Sequence, residues 1–382
     1  METYDIILVG GGIAGASAAA ELASLGRVLL LEREDAPGYH STGRSAALYT
    51  QTYGPPEIRA LTVASRAFFD AAVASGFAEN PVLTPRGVLL VARPDQEDAL
   101  AAAHAEARRV APTVERLGAE ETLRRAPMLR PGYAAGCVWE PDATDMDVHA
   151  IHAGYLRLFR RRGGAVRTGA ELVSAGRKGT SWAVRTRAGE FEAPVLVDAA
   201  GAWADEVARL AGLGPLGIVP RRRTVVTFDP DPPVPAERMA VWPMIIDVEE
   251  RFYFKPEAGR VLASPADETE TAPCDARPEE LDVAEAVERV TAAVFGVRRI
   301  AHRWAGLRSF APDGVPAIGF DPRAEGFFWL AGQGGYGIQT APAMARLAAG
   351  LIGAAAPETT ALGVDPAALA PGRLLGQEPM RT

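Results

Sequence analysis

The chain has 382 residues, 48% apolar and 23% charged, the balance of a soluble globular protein long enough for two domains. Its net charge of −8 speaks against a nucleic-acid surface. No apolar run approaches the roughly 20 residues of a membrane helix and no basic n-region opens the chain, so a cytoplasmic protein with no transmembrane segment is expected.

Tyr4 to Val9 reads as an apolar strand that runs into Gly10-Gly11-Gly12-Ile13-Ala14-Gly15. An Ala-rich helix follows to Leu25, Gly26 ends it, and Arg27 to Leu31 forms a second strand that stops at Glu32. Gly10 makes the tight turn, Gly12 lets the backbone approach a pyrophosphate, and Gly15 lets helix and strand pack closely. The helix N-terminus offers free amides to the phosphates, and Glu32 can accept from ribose hydroxyls. A lone glycine fingerprint is weak evidence. Strand, helix, second strand and terminal acid in one register make dinucleotide binding the reading.

Tyr39 to Ala47 is small and polar, and a helical stretch follows from Ile58 to Ala74. Gly87 to Ala92 reads as a short buried strand, Glu97 to Leu117 as a solvated helix, and Val148 to Arg162 as another helix. Ala193 to Ala199 is an apolar strand closing on Gly201-Ala202-Trp203. Arg221 to Phe228 and Arg251 to Ser264 alternate like antiparallel strands. Gly326 to Ala331 is a further buried strand. It breaks into Gly332-Gln333-Gly334-Gly335-Tyr336-Gly337 before a helix from about Gln339 to Ile352.

That last turn brings several backbone amides against a flat ligand. A reduced flavin is negative at its N1/C2 edge, which suits a helix N-terminus. No acid-tipped strand follows, so the turn is not a second nucleotide fingerprint. One dinucleotide held at both ends of the chain suits FAD better than NAD.

Other chemistries have little support. Cys137 and Cys274 lie far apart outside any CxxC pattern and read as reduced thiols. His149 and His152 stand three apart on a helix without a further ligand set for zinc. Asp142, Asp145 and Asp147 read as a polar loop rather than a calcium site.

The chain resembles the D-amino acid oxidase superfamily of FAD enzymes, and within it the bacterial D-arginine dehydrogenases. The resemblance rests on Gly10 to Gly15, Leu31-Glu32-Arg33-Glu34, Gly38 to Ala47, Ala199 to Trp203, Trp304 to Phe310 and Gln333 to Thr340. It implies an α/β fold: a glutathione-reductase-like Rossmann FAD-binding domain with an inserted α+β antiparallel-sheet substrate domain. The FAD domain would take residues 1–85, 146–220 and 303–382, and the substrate domain 86–145 and 221–302. Non-covalent FAD would lie on Gly10, Gly12, Ile13, Ala14, Gly15, Glu32 and Arg33, then on Ser41, Thr42, Arg44, Ser45, Ala46 and Ala47. Val173 would touch the adenine. Gly201, Arg308, Gly334, Gly335, Tyr336, Gly337, Ile338, Gln339 and Thr340 would complete the flavin site.

On residue type alone, Arg223 and Arg308 read as structural or surface arginines. The resemblance makes them a pair that clamps a substrate carboxylate, for which the guanidinium fork is well shaped. It also places Tyr53 and Tyr253 as catalytic-pocket hydroxyls and Met244, Ile246, Gly335 and Gln339 as pocket walls. Two departures bear on substrate. Leu48 stands where D-arginine dehydrogenase has a histidine, and Gly87-Val88 stands where it has the acid that meets a cationic side chain. An unpaired buried charge costs several kcal/mol, so D-arginine and D-lysine are expected to be poor substrates. Leu48, Val88, Met244 and Ile246 point to a neutral, apolar D-amino acid. It would be deaminated oxidatively to a 2-oxo acid and ammonia by hydride transfer from Cα to flavin N5, with water or Tyr53 left to prepare the amine. The alternative enzyme reading is oxidation of a secondary amine such as an N-methyl amino acid, or of a 2-hydroxy acid. A flavin-free binding protein on the same fold is a third reading, opposed by Glu32 and Gly334 to Gly337. The electron acceptor is open between oxygen, a quinone and another carrier.

Overall fold

In the computed structural model, residues 1–294, 296–353 and 363–376 are described. Residues 354–362 and 377–382 of the expected FAD domain lie outside them. No helix among the described residues is long and apolar enough to cross a membrane.

The first sheet has six strands in the order Ala165–Arg167, Val28–Leu31, Ile6–Val9, Val195–Asp198, Phe327–Ala331 and Ala317–Phe320. All neighbours are parallel except the last pair. Its strands are apolar at nearly every position because both faces are covered. Ile6 and Leu8 point into a core with the Ile13–Leu22, Val148–Arg161 and Gly337–Ile352 helices. Ile7 and Val9 point the other way, towards Trp182, Val184 and Phe191 of a four-stranded sheet. Two glycines make the first crossover possible. Gly10 has φ +107°, and a Cβ there would stand 2.4 Å from the Ala199 carbonyl oxygen. A Cβ on Gly15 would stand 1.8 Å from the Gly10 oxygen.

The larger sheet is built on two long antiparallel strands, Val219–Asp231 and Gly296–Phe310. Arg260–Ser264, Tyr253–Glu257, Met244–Asp247, Val88–Ala92, Gly136–Glu140 and Glu115–Gly118 extend it on one side. Gln333–Gly334 pairs with Ser309 and Phe310 on the other. Gln333 follows the Phe327–Ala331 strand almost directly, so the chain passes from one sheet to the other at the glycine turn. That junction positions the site.

Four segments differ from the sequence reading. The helix from Glu97 stops at Val110, ahead of Pro112, and Glu115–Gly118 is an edge strand. Pro194 separates Gly189–Ala193 from Val195–Asp198, which lie in different sheets. Arg251 to Ser264 is a hairpin whose two loop residues, Ala258 and Gly259, have φ +48° and +77°, the backbone of a tight two-residue turn. The expected domain boundaries at 220/221 and 302/303 fall inside the two long strands.

Candidate active site

One cavity of about 350 Å³ runs from Glu32 past both glycine turns to Tyr253. At one end the Glu32 carboxylate accepts from the Gly11 amide at 2.8 Å and the Glu34 amide at 2.9 Å. Each oxygen keeps a lone pair, so ribose contacts remain open to it. Arg33 lies 4.8 Å over the Trp203 ring and pairs with Glu171. Thr42 Oγ1 accepts from the Ile13 amide at 2.9 Å, while Gly12, the N-cap residue, has no side-chain cap of its own. Burial holds His152 neutral, and its Nε2 donates to the Gly11 carbonyl at 2.8 Å. At the far end the Gly337–Ile352 helix likewise starts without a side-chain cap. Two helix starts whose own N-cap residues provide no side-chain cap, both facing one long cleft, fit a dinucleotide with an electron-rich ring.

Gly10, Gly12, Ile13, Ala14, Glu32, Arg33, Ser41, Thr42, Arg44 to Leu48, Tyr53, Gly201, Arg223, Met244, Ile246, Tyr253, Arg308, Gly334, Gly335, Gly337, Ile338 and Gln339 all line this cavity. Several have structural partners. Ser41 donates to the Leu307 carbonyl at 2.6 Å. Arg44 is held by the carbonyls of Ala276 and Ala305 and by Asp275. Gln339 is tied to Thr62 and to the Thr50 amide.

Five expected residues do not line the cavity. Gly15 packs under Gly10, and Thr340 donates to the Tyr336 carbonyl at 2.8 Å. Tyr336 stands edge-on to Tyr53, ring centroids 4.9 Å apart. Val88 is buried behind Met244, against Ala143. Val173 is exposed, and Glu171 and Leu172 line the cavity instead. Val173 is the residue skipped where the strand register shifts.

At the reactive end, Arg223 and Arg308 converge. Arg223 donates through Nη2 to Glu268 Oε1 at 3.1 Å and through Nε to the Asp267 carbonyl at 2.9 Å. Arg308 Nη2 meets the same Glu268 oxygen, and its Nε is buried without a partner. A Cβ on Gly335 would lie 3.2 Å from Arg308 Nη1, so the arginine rests against the glycine turn. Burial works against the Arg308 charge, while the negative charge of Glu268 and its hydrogen bond to the guanidinium support it. Burial, reinforced by Glu250, pushes the Tyr53 hydroxyl up, so it stays protonated. It therefore cannot take an amine proton near neutral pH, contrary to the role left open for it. Leu48, Met244, Ile246, Val88 and Tyr253 form one apolar cluster beside the arginines.

Three acids were not legible as site residues. Glu250 lines the cavity at φ +55°, within electrostatic reach of Arg223 and Arg308, so the pocket is not free of acids. Burial pushes its carboxyl up, against the pull of those arginines. Glu268 bridges the arginine pair. Buried Glu140 accepts from Thr50 Oγ1, Thr52 Oγ1 and the Gln51 amide at 2.6–2.8 Å, which fixes the segment leading to Tyr53. In the sequence, Glu250 and Glu268 sit in acidic, turn-like stretches with no periodicity to mark them.

The family described as "DAO: FAD dependent oxidoreductase" matches residues 5–351. Glycine oxidase of Pseudomonas putida is 26% identical over 387 residues, covering 97% of this chain and 99% of that one. L-2-hydroxyglutarate dehydrogenase of Escherichia coli is 30% identical over 226 residues, 56% of this chain and 51% of the relative. The match thus spans about half the length of those dehydrogenases. Among solved structures, glycine oxidase from Geobacillus kaustophilus superposes with a TM-score of 0.79 at 23% identity, covering 92% and 95% of the two chains. L-proline dehydrogenase from P. horikoshii gives 0.77 at 21%, covering 92% and 93%. The likeness thus runs to glycine oxidases and L-2-hydroxyglutarate dehydrogenases rather than specifically to D-arginine dehydrogenases. The chain belongs to the DAO family of FAD-dependent oxidoreductases.

Proposed function

We propose that the protein oxidises the Cα–N bond of a small α-amino acid with a neutral, apolar side chain. The observation that carries this reading is the convergence of Arg223 and Arg308 on a single carboxylate oxygen, that of Glu268. Guanidiniums that meet on one carboxylate fit a substrate carboxylate there, each charge-assisted hydrogen bond contributing about 1.5–3 kcal/mol. Bound FAD supplies the two-electron acceptor. The chain's own residues orient the substrate and handle its proton. Arg223 and Arg308 fix the carboxylate. Tyr253, under the Arg223 guanidinium at 5.8 Å, and the protonated Tyr53 serve as neutral donors. Glu250 stands at the charged end of the pocket, where it faces the α-ammonium and receives its proton. Leu48, Met244 and Ile246 take the side chain. D configuration and release of a 2-oxo acid with ammonia rest on the resemblance carried by residues 38–47 and 304–310.

Full-length likeness to glycine oxidases favours a second reading, in which the substrate is glycine or an N-alkylated glycine. The same clamp would also serve a 2-hydroxy acid. The test is anaerobic bleaching of the visible flavin band by D-leucine, D-methionine, D-arginine, glycine, sarcosine and L-2-hydroxyglutarate. Bleaching by D-leucine or D-methionine but not D-arginine supports the first reading. Bleaching by glycine, sarcosine or the hydroxy acid alone moves the activity to the second.

A further inference from the structure

We propose that Glu268 is a resident competitor for the substrate's carboxylate, and that Arg221 receives it when a ligand carboxylate takes the arginine pair. The inference rests on the reading of Arg223 and Arg308 as a carboxylate clamp.

The Glu268 carboxylate spans three guanidiniums. Its Oε1 meets Arg223 and Arg308, while its Oε2 accepts from Arg221 Nη1 at 3.2 Å. Its main chain is pinned on both sides. The Asp267 carboxylate accepts from the Thr224 amide at 2.7 Å and from Thr224 Oγ1 at 3.0 Å. Thr269 and Glu270 pair antiparallel with Arg222 and Arg221. The side chain of Glu268 is therefore the part free to move. It is 40% exposed, against 10% for Arg223 and 13% for Arg308, so it lies on the solvent side of the clamp and can swing without unpacking the core. Arg221, at 26%, lies between these extremes.

The grip of Glu268 is also incomplete. It meets Arg308 and Arg223 with one oxygen and one nitrogen each, and Arg308 Nε is left buried and unpartnered. A ligand carboxylate with two oxygens to offer can engage the Nε and Nη2 fork of Arg308, the stronger arrangement. After the exchange Glu268 neutralises Arg221, to which it is already bonded, and the ligand neutralises the pair. A ligand without a carboxylate has no means of making this exchange, so the device selects for carboxylates.

A fixed counter-ion predicts the opposite sign. Removing it would leave Arg223 and Arg308 in mutual repulsion, with Arg221 still facing Glu270 at 3.7 Å, and loosen the clamp, whereas removing a competitor tightens ligand binding. The experiment is calorimetric titration of the FAD-loaded protein with butanoate, a carboxylate with no amine to oxidise. Glu268→Gln is expected to bind butanoate at least about tenfold more tightly than the unaltered protein. Arg221→Met, which removes the alternative partner of Glu268, is expected to bind it more weakly. Glu250→Gln removes a nearby negative charge that makes no ion pair with these arginines, and is expected to change affinity far less than Glu268→Gln. Unchanged or weaker binding by Glu268→Gln, or equal tightening by Glu250→Gln, overturns the inference while the clamp stands. No butanoate binding to any of the four proteins overturns the clamp itself, and the inference with it.

Discussion

Arg221 and Arg308 stand directly opposite one another across the ladder between the two longest strands. Each guanidinium also lies over the Phe310 ring, at 5.6 and 5.2 Å. Like charges in register repel, and Glu268, which contacts both, offsets this together with Glu270, which stands 3.7 Å from Arg221. The same register sets Arg223, two residues along, on the same face of the strand. A cluster of cations beside the glycine turn at 333–337 is thus a property of strand pairing.

Arg308→Met is expected to nearly abolish turnover while FAD stays bound. Removing a charged donor to a bound carboxylate costs about 1.5–3 kcal/mol, or roughly ten- to more than a hundredfold in kcat/KM, before any misorientation of the substrate. Steady-state kinetics together with the ratio of flavin to protein absorbance check this. Activity like that of the unaltered protein would sink the clamp assignment.

Gly15→Ala is expected to yield protein with little or no flavin. The new Cβ would collide with the Gly10 carbonyl oxygen, which is backbone and cannot rotate away, so helix and strand must separate. Flavin content after purification is the readout, and full occupancy would contradict it.

Glu140→Ala is expected to lower stability by about 3 kcal/mol, because two hydroxyls and one amide lose a buried acceptor. The freed 50–52 segment carries Tyr53, so substrate KM should rise in parallel. Urea unfolding and KM measured on one preparation test both halves. A loss of stability with KM unchanged would show that Glu140 serves the fold alone.

Asp198 gives a dependence on pH. Burial raises its carboxyl well above the ordinary value, the Ala200 amide offsets this only in part, and Oδ2 has no partner. The folded state therefore holds this proton more tightly than the unfolded chain. Its contribution is complete below the unfolded value of about 3.9 and is lost as pH rises towards the raised folded value, by at most about 1.4 kcal/mol per pH unit. Asp198→Asn should remove that slope. Urea midpoints at pH 5 and pH 8 should converge in the variant relative to the unaltered protein, and parallel shifts in both would refute the argument.

Much of the cofactor end is written locally. Gly10 and Gly15 are demanded by contacts within one strand–turn–helix unit, and Glu32 follows from the next strand, so a window of about thirty residues suffices to read them. The apolar strands are equally legible, because both faces of the first sheet are buried. Leu48, Met244 and Ile246 were recognisable as an apolar wall through resemblance, and they do cluster. Arg44 and Gln339 were assigned to cofactor or substrate, yet their polar groups are engaged by the protein, which no local pattern discloses.

The sequence by itself determined the glycine fingerprint and its acid-tipped second strand, since these depend on backbone geometry and hydrophobic period over short spans, and resemblance in its motifs pointed to the family. Only the tertiary structure decided which acids face which arginines. Glu140, Glu250 and Glu268 come from three separate stretches of chain, and the first is spent on holding a loop. Their roles are fixed by strand register and by burial, and a charge carries no mark in sequence of the partner it will meet across a sheet.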